Sequence, residues 1–303
     1  MGKNFIVLGI GEILYDLLPD GKVLGGAPTN FAYHANELGA VGIPVSAIGC
    51  DALGDEILLE LGKRGLKANY IQRDKNHNTG IVKVEFRDGE PNYFIEENAA
   101  WDNIKLTKEL LDIFKKADAV CFGSLAQRTK NNQLVISTLL SELKSSCIVY
   151  FDLNLRQNFF SKELIDRLVR QSNIFKLNED ELHYISQLYN LTGNELNRSR
   201  TIINMFDLSL VALTLGAKGS LLITANESSK VRPTANKIQD TIGASDSFSA
   251  AVVVGLLNHM DIASTNEFAN EVASYVCSQK GGTPRIPEKL KYWTQNKSLR
   301  LKL

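Results

Sequence analysis

Between residues 106 and 223 the sequence alternates short, mainly apolar runs with stretches of helical spacing, and this alternation limits the possible folds more than any other feature. Helices are expected over 110–116, 133–143, 162–171 and 180–188, and strands over 119–122, 148–151, 174–177 and 210–215. A further strand, 220–223, follows across the turn Gly216-Ala217-Lys218-Gly219. Strands that are apolar at every position belong to a sheet covered on both faces, whereas one-sided strands alternate. Repeated βα units then imply a mainly parallel sheet with helix layers on both sides. Residues 5–8 and 45–48 supply two more such strands, with helices expected over 32–38 and 56–63.

A different texture interrupts this pattern. Residues 79–86 and 92–95 alternate in polarity around Arg87-Asp88-Gly89-Glu90-Pro91, and Tyr15-Asp16 alternate ahead of the turn residues Pro19-Asp20-Gly21. Together the segments at about 13–24 and 79–101 are expected to form a small β-sheet lid on one α/β domain spanning 1–303. A lid excludes water from a reaction that competes with hydrolysis. The tail from Lys289 to Leu303 is basic and weakly patterned, and is expected to be a surface helix.

Charge narrows the partners. Lys+Arg and Asp+Glu are each 34, so the net charge is +0 and no basic footprint for nucleic acid or an anionic membrane exists. That balance points to small-molecule partners. The four cysteines, Cys50, Cys121, Cys147 and Cys277, are widely spaced and read as thiols of a reducing, cytoplasmic compartment. The four histidines show no zinc-ligand spacing. The apolar run at 5–10 is too short for a membrane span and lacks the flanks of a signal peptide. Gly9-Ile10-Gly11 hints at a dinucleotide fingerprint, but Leu14 stands where a third glycine is required.

In open α/β sheets ligands bind beyond the carboxyl ends of the strands. Polar residues gather at the expected strand ends: Asp152, Asn154 and Arg156; Asn178 and Glu179; Thr214 and Gly216. Near the amino terminus, Asp16 offers a bidentate acceptor for adjacent sugar hydroxyls, and Gly25-Gly26 precede a helix carrying Asn30. Asp240-Thr241-Ile242-Gly243-Ala244-Ser245-Asp246 runs into an Ala- and Val-rich helix. A helix amino terminus has unpaired N–H groups and partial positive charge, so this turn suits an oxyanion or phosphate, with Asp246 beside it as a general base. The same residues also fit an ordinary capped loop with Asp246 or Ser247 as N-cap.

Five ordered motifs resemble those of the ribokinase-like sugar kinases, the PfkB family. Asp240–Asp246 resembles its D-T-x-G-A-G-D signature, and Gly25-Gly26 with Asn30 its amino-terminal motif. Asn178-Glu179-Asp180-Glu181 is similar to N-x-x-E, Thr214–Gly219 to T-L-G-x-x-G, and Lys280-Gly281-Gly282-Thr283-Pro284 to the terminal segment. Gly25-Gly26-Ala27-Pro28, Gly11–Asp16 and Glu97–Asp102 look most like bacterial fructokinases. The resemblance implies a three-layer α/β/α ribokinase-like fold with a mainly parallel central sheet. It implies ATP-dependent phosphorylation of the 6-hydroxyl of D-fructose, with Mg2+ and K+, in a homodimer. Another sugar of the family (ribose, 2-keto-3-deoxygluconate or a nucleoside) and a non-catalytic sugar or nucleotide sensor are the alternatives.

On the sugar it places Asp16, Gly25, Gly26, Asn30 and Arg156, with Asp246 as base and the amides of Gly243, Ala244, Ser245 and Asp246 as anion hole. It places Thr214, Gly216, Gly219, Gly243 and Asn270 near the nucleotide, with Asn178 and Glu181 around magnesium and phosphate. Asp240 and the carbonyls of Ile242, Val276 and Gly281 resemble a monovalent-cation site. No P-loop sequence is present. One position departs: Ser245 stands where the family has glycine, and a positive φ there would cost roughly 1–2 kcal/mol.

Overall fold

The computed structural model describes residues 5–18, 21–87, 90–233 and 238–291, with the backbone alone at 84–87 and 90–93. In chain order the elements are β1 (Ile6–Ile10), β2 (Leu14–Leu18), β3 (Gly21–Gly25), α1 (Ala27–Glu37), β4 (Val41–Gly49), α2 (Ala52–Lys63) and β5 (Ile71–Asp74). Then come β6 (Gly80–Arg87), β7 (Glu90–Ile95), α3 (Lys108–Phe114), β8 (Ala119–Gly123), α4 (Lys130–Ser141), β9 (Ile148–Asp152), α5 (Lys162–Arg170), β10 (Ile174–Asn178) and α6 (Glu179–Leu188). The chain continues with α7 (Glu195–Phe206), β11 (Leu210–Thr214), β12 (Ser220–Ile223), β13 (Ser228–Val231), α8 (Ala244–Leu257), α9 (Ile262–Cys277) and α10 (Glu288–Lys291).

Nine of these strands form one sheet in the order β13-β12-β11-β10-β9-β8-β1-β4-β5. It is parallel from β11 to β5, and β12 and β13 extend it antiparallel. Successive residues of each strand serve opposite layers. Val120, Phe122, Phe151 and Phe175 pack with α3 to α7, whereas Ala119, Cys121, Tyr150 and Ile174 pack with α1, α8 and α9. Phe122, Phe151 and Phe175 stack across adjacent strands at 5.1 and 5.3 Å. Strand order reverses between β1 and β8, since β1 leads on to β4 on one side and β8 flanks it on the other. That is the crevice where such sheets bind ligands.

The alternating segments form the expected second sheet, β3-β2-β6-β7. It is mixed, with β2 and β6 parallel and the outer pairs antiparallel. Ile13, Tyr15 and Leu24 pack on Ile57 and Leu61 of α2. Pro19, Asp20, Asp88 and Gly89 of the expected turns, and residues 292–303 of the expected surface helix, lie outside the described residues. No helix among the described residues is long and apolar enough to cross a membrane. Cys121 and Cys147 are buried, Cys277 half-buried and Cys50 exposed.

Arg128 anchors the end of β7 to the main body. It forks onto Asp102 through Nε at 2.7 Å and Nη2 at 2.6 Å, and Nη2 also donates to the Glu96 carbonyl at 2.6 Å. Its guanidinium lies over Trp101 at 4.1 Å and Phe159 at 4.7 Å. Both charged side chains are almost wholly buried, at 4% and 1% exposure. Arg128→Met leaves an uncompensated carboxylate inside the protein and should cost about 3–5 kcal/mol. Urea unfolding checks this; a loss below about 1 kcal/mol would contradict it.

Candidate active site

The amino end of α8 lies beside this crevice. Every position from Ser247 to Gly255 is buried, so α8 is a central helix rather than a surface one. Its N-cap is Gly243 and not Asp246 or Ser247, which corrects the capped-loop expectation. Gly243 has φ of 71°, and a Cβ there would stand 2.1 Å from the Gly282 carbonyl oxygen. Only glycine fits that left-handed, tightly approached position. Among the described residues the N–H groups of Gly243, Ser245 and Asp246 have no acceptor, whereas Ala244 N donates to Thr241 O at 3.3 Å. Three of the four expected anion-hole amides are therefore unpaired, and that of Ala244 is engaged in the turn.

Asp246 occupies the first turn of the same helix. Its Oδ2 accepts from Asn30 Nδ2 at 2.8 Å, joining α1 to α8 across 216 residues. One edge stays partly exposed, yet the carboxyl is deep enough that burial pushes its pKa from 3.8 up to about 6. The Asn30 hydrogen bond and the charges of Lys176 and Arg156 pull it back down, while Asp152 adds to the rise. A carboxylate poised near neutrality is a usable general base.

The other expected sugar residues converge on the same crevice. A Cβ on Gly25 would meet Asp16 Oδ2 at 2.7 Å, and Gly26 at φ of 117° would meet the Glu12 carbonyl at 2.4 Å. Burial raises the Asp16 carboxyl, and the Arg156 charge opposes it. The positive charge of Arg156 also lowers the Glu12 and Asp246 carboxyls.

Comparison with known proteins fits this geometry. The family model described as pfkB family carbohydrate kinase matches residues 20–289. The chain belongs to the pfkB family of carbohydrate kinases. It is 30% identical over 309 residues to the sugar kinase PH1459 of Pyrococcus horikoshii, covering 95% of each chain. It is 26% identical to a Solanum tuberosum fructokinase, covering 93% of this chain and 92% of that one. The structure of a Vibrio cholerae O395 fructokinase with fructose, ADP and calcium superimposes with a TM-score of 0.81 at 25% identity, over 96% of this chain and 99% of the other. PH1459 itself, in complex with ATP, superimposes with a TM-score of 0.81 over 96% and 99%.

Of the residues expected near the nucleotide in this pfkB kinase, Asn178 and Thr214 are register partners at the ends of β10 and β11. Asn178 and Glu181 make a reciprocal capping box at the start of α6: Asn178 Oδ1 accepts from Glu181 N, and Glu181 Oε2 from Asn178 N, each at 2.8 Å. Glu181 Oε1 also accepts from Leu155 N at 2.9 Å, tying the Arg156 loop to this side. Gly216 is exposed at φ of 56°, and Gly219 packs under β13. Asn270 is buried, its Nδ2 held by Ser220 Oγ at 2.7 Å and Asn266 O at 2.8 Å. Asp240 joins two loops, accepting from Ile242 N at 2.9 Å and Gly281 N at 3.1 Å, while the Val276 carbonyl accepts from Gln279 N.

Ser245 carries no positive φ and belongs to the first turn of α8, so the serine brings no left-handed strain. Ser245→Gly should leave kcat within about threefold and destabilise by about 0.5 kcal/mol. A larger gain in kcat would show that the serine hinders turnover.

Two functional candidates were not singled out from the sequence. Glu12 lies under Gly26, with Oε1 accepting from Ala27 N at 3.2 Å, Oε2 buried without a partner among the described residues, and burial raising its pKa to about 7. Lys176 is a lysine inside the apolar strand β10, a pattern visible in Ile174-Phe175-Lys176-Leu177.

Proposed function

We propose that this pfkB kinase transfers the γ-phosphoryl group of ATP to the 6-hydroxyl of D-fructose. The observation that carries the reading is Asp246, held by Asn30, in the same helical turn as the unpaired N–H groups of Gly243, Ser245 and Asp246. Phosphoryl transfer asks chiefly for alignment and charge stabilisation. Asp246 takes the proton as the sugar oxygen bonds to phosphorus and the bond to ADP breaks; the amino end of α8 holds the charge that develops. Asp16 accepts from sugar hydroxyls across from Arg156, with Gly25 and Gly26 allowing close approach. Thr214, Gly216, Gly219 and Asn270 lie toward the nucleotide.

The donor sets suit the expected ions. Each Glu181 oxygen accepts one N–H and keeps lone pairs, so with Asn178 it would hold magnesium, which neutralises phosphate charge. Asp240 and the carbonyls of Ile242, Val276 and Gly281 would hold potassium. The small sheet would close over the sugar as a lid of one kinase unit, acting in the cytoplasm as a homodimer.

A panel of fructose, ribose, 2-keto-3-deoxygluconate and nucleosides, read by ADP release, tests the substrate. Fructose should give the highest kcat/KM. Turnover confined to ribose or a nucleoside would reject it, and calorimetric binding of fructose without transfer at any magnesium level would make the chain a sensor.

A further inference from the structure

Lys176 stands in mid-strand of β10, 3% exposed, in register opposite Asp152 of β9. Its Nζ is 2.9 Å from Asp152 Oδ1. Desolvating an ammonium and a carboxylate costs several kcal/mol per ion, and well-packed apolar residues often replace such pairs without loss. Stability alone therefore gives little reason for this pair. Burial works against the charge on Lys176, but Asp152, Glu181 and Asp246 together outweigh it and hold the lysine protonated.

The pair also adjoins the reaction centre. Asp152 and Asp246 line one chamber of about 10 Å3, room for about one water, together with Asn154 and Ser249. Ser249, one turn beyond Asp246 on α8, reaches Asp152 Oδ2 at 3.5 Å. The groups facing Asp246 are Asn30 from α1, Glu12 after β1, Cys121 of β8, Asp152 and Arg156 at the end of β9, and Lys176 of β10. The Cys121 thiol is pushed well above its ordinary range by burial and stays neutral. Arg156 is exposed and screened by water, so Lys176 is the cation whose field reaches Asp246 through protein.

We propose that Lys176 and Asp152 are positioning residues of the transfer step, Lys176 being the internal counter-ion that keeps Asp246 a carboxylate and Asp152 the partner that limits its effect. The proposal rests on the kinase reading above, with Asp246 as base. It requires the two substitutions to act in opposite directions. Lys176→Met removes the cation and should raise the Asp246 pKa by about one unit or more, whereas Asp152→Asn frees the cation for Asp246 and should lower it by a measurable fraction of a unit. The double variant should return toward wild type.

Carboxyl 13C NMR titration of aspartate-labelled protein reads this directly, with Asp246→Asn assigning the resonance. On an accepted sugar, the acid limb of kcat/KM should move with it. Shifts in the same direction, or no shift in folded Asp152→Asn protein, would overturn the proposal. If Lys176→Met does not fold, the downward shift in Asp152→Asn alone decides. The titration needs no substrate, so a failed sugar panel rejects the fructose reading and leaves this test intact.

Discussion

Asp246→Asn should lower kcat by about 10³-fold, while nucleotide affinity stays within a few-fold of wild type. The substitution preserves shape and an acceptor for Asn30, which donates to Asp246 at 2.8 Å, and it removes the ability to take a proton. General-base catalysis contributes typically about 10²–10⁴-fold, and no other carboxylate shares this turn. The pH dependence follows from the raised pKa. Burial lifts the Asp246 carboxyl to about 6, so the base form is lost as pH falls through that value. For the wild type, kcat/KM should be level above about pH 6.5 and fall about tenfold per unit well below pH 6. Stopped turnover assays and calorimetric titration of the nucleotide measure both halves. A variant retaining more than a tenth of the wild-type rate would remove Asp246 from the base role.

Gly243→Ala should be nearly as damaging for a different reason. Its Cβ would stand 2.1 Å from Gly282 O and 2.7 Å from both Gly282 C and Cα, at φ of 71°. A flexible side chain could move aside, but backbone cannot without shifting the 281–284 loop. That loop is itself pinned, since His34 Nε2, on a ring that burial keeps neutral with a pKa of about 4, lies 2.9 Å from Gly282 O. Strain of about 1–2 kcal/mol is expected from the left-handed backbone alone. Losing one donor aimed at a developing charge typically costs about 10²–10³ in rate. We expect kcat to fall at least about 10²-fold, with a melting temperature only a few degrees lower. Ser245→Gly, two residues on, is the control, with kcat within about threefold and a loss of only about 0.5 kcal/mol. Wild-type kcat in Gly243→Ala would mean that the turn holds no charge in the transition state.

The layered fold was legible because its physics is local. Strands buried on both faces are mainly apolar, so β8 to β11 stood out despite Lys176 in β10, and the alternating lid strands stood out against them. The edge strands β5, Ile71-Gln72-Arg73-Asp74, and β13, Ser228-Ser229-Lys230-Val231, carried no such signal. An edge strand has one neighbour and tolerates charge. Helix α9 was obscured by the buried polar residues Thr265, Asn266, Asn270 and Ser274; Asn266 bonds Ser229 of β13 and Asn270 bonds Ser220 of β12.

At the site, residue types were readable and their partnerships were not. The small-residue turn, Asp246, the glycine pair and Asn30 could each be named from the chain, since a phosphate cradle needs glycine and a base needs a carboxylate. The bond between Asn30 and Asp246 spans 216 residues, and no local pattern encodes it. The capping of α8 by Gly243, the relaxed backbone at Ser245 and the box between Asn178 and Glu181 depend on φ and on which N–H groups remain unpaired. Strand register alone brought Lys176 opposite Asp152, and the packing of α8 on that face brought Asp152 into one chamber with Asp246. Sequence carries solvation, and solvation specifies the layers; the electrostatics of the carboxylates arise only when the layers close and water leaves.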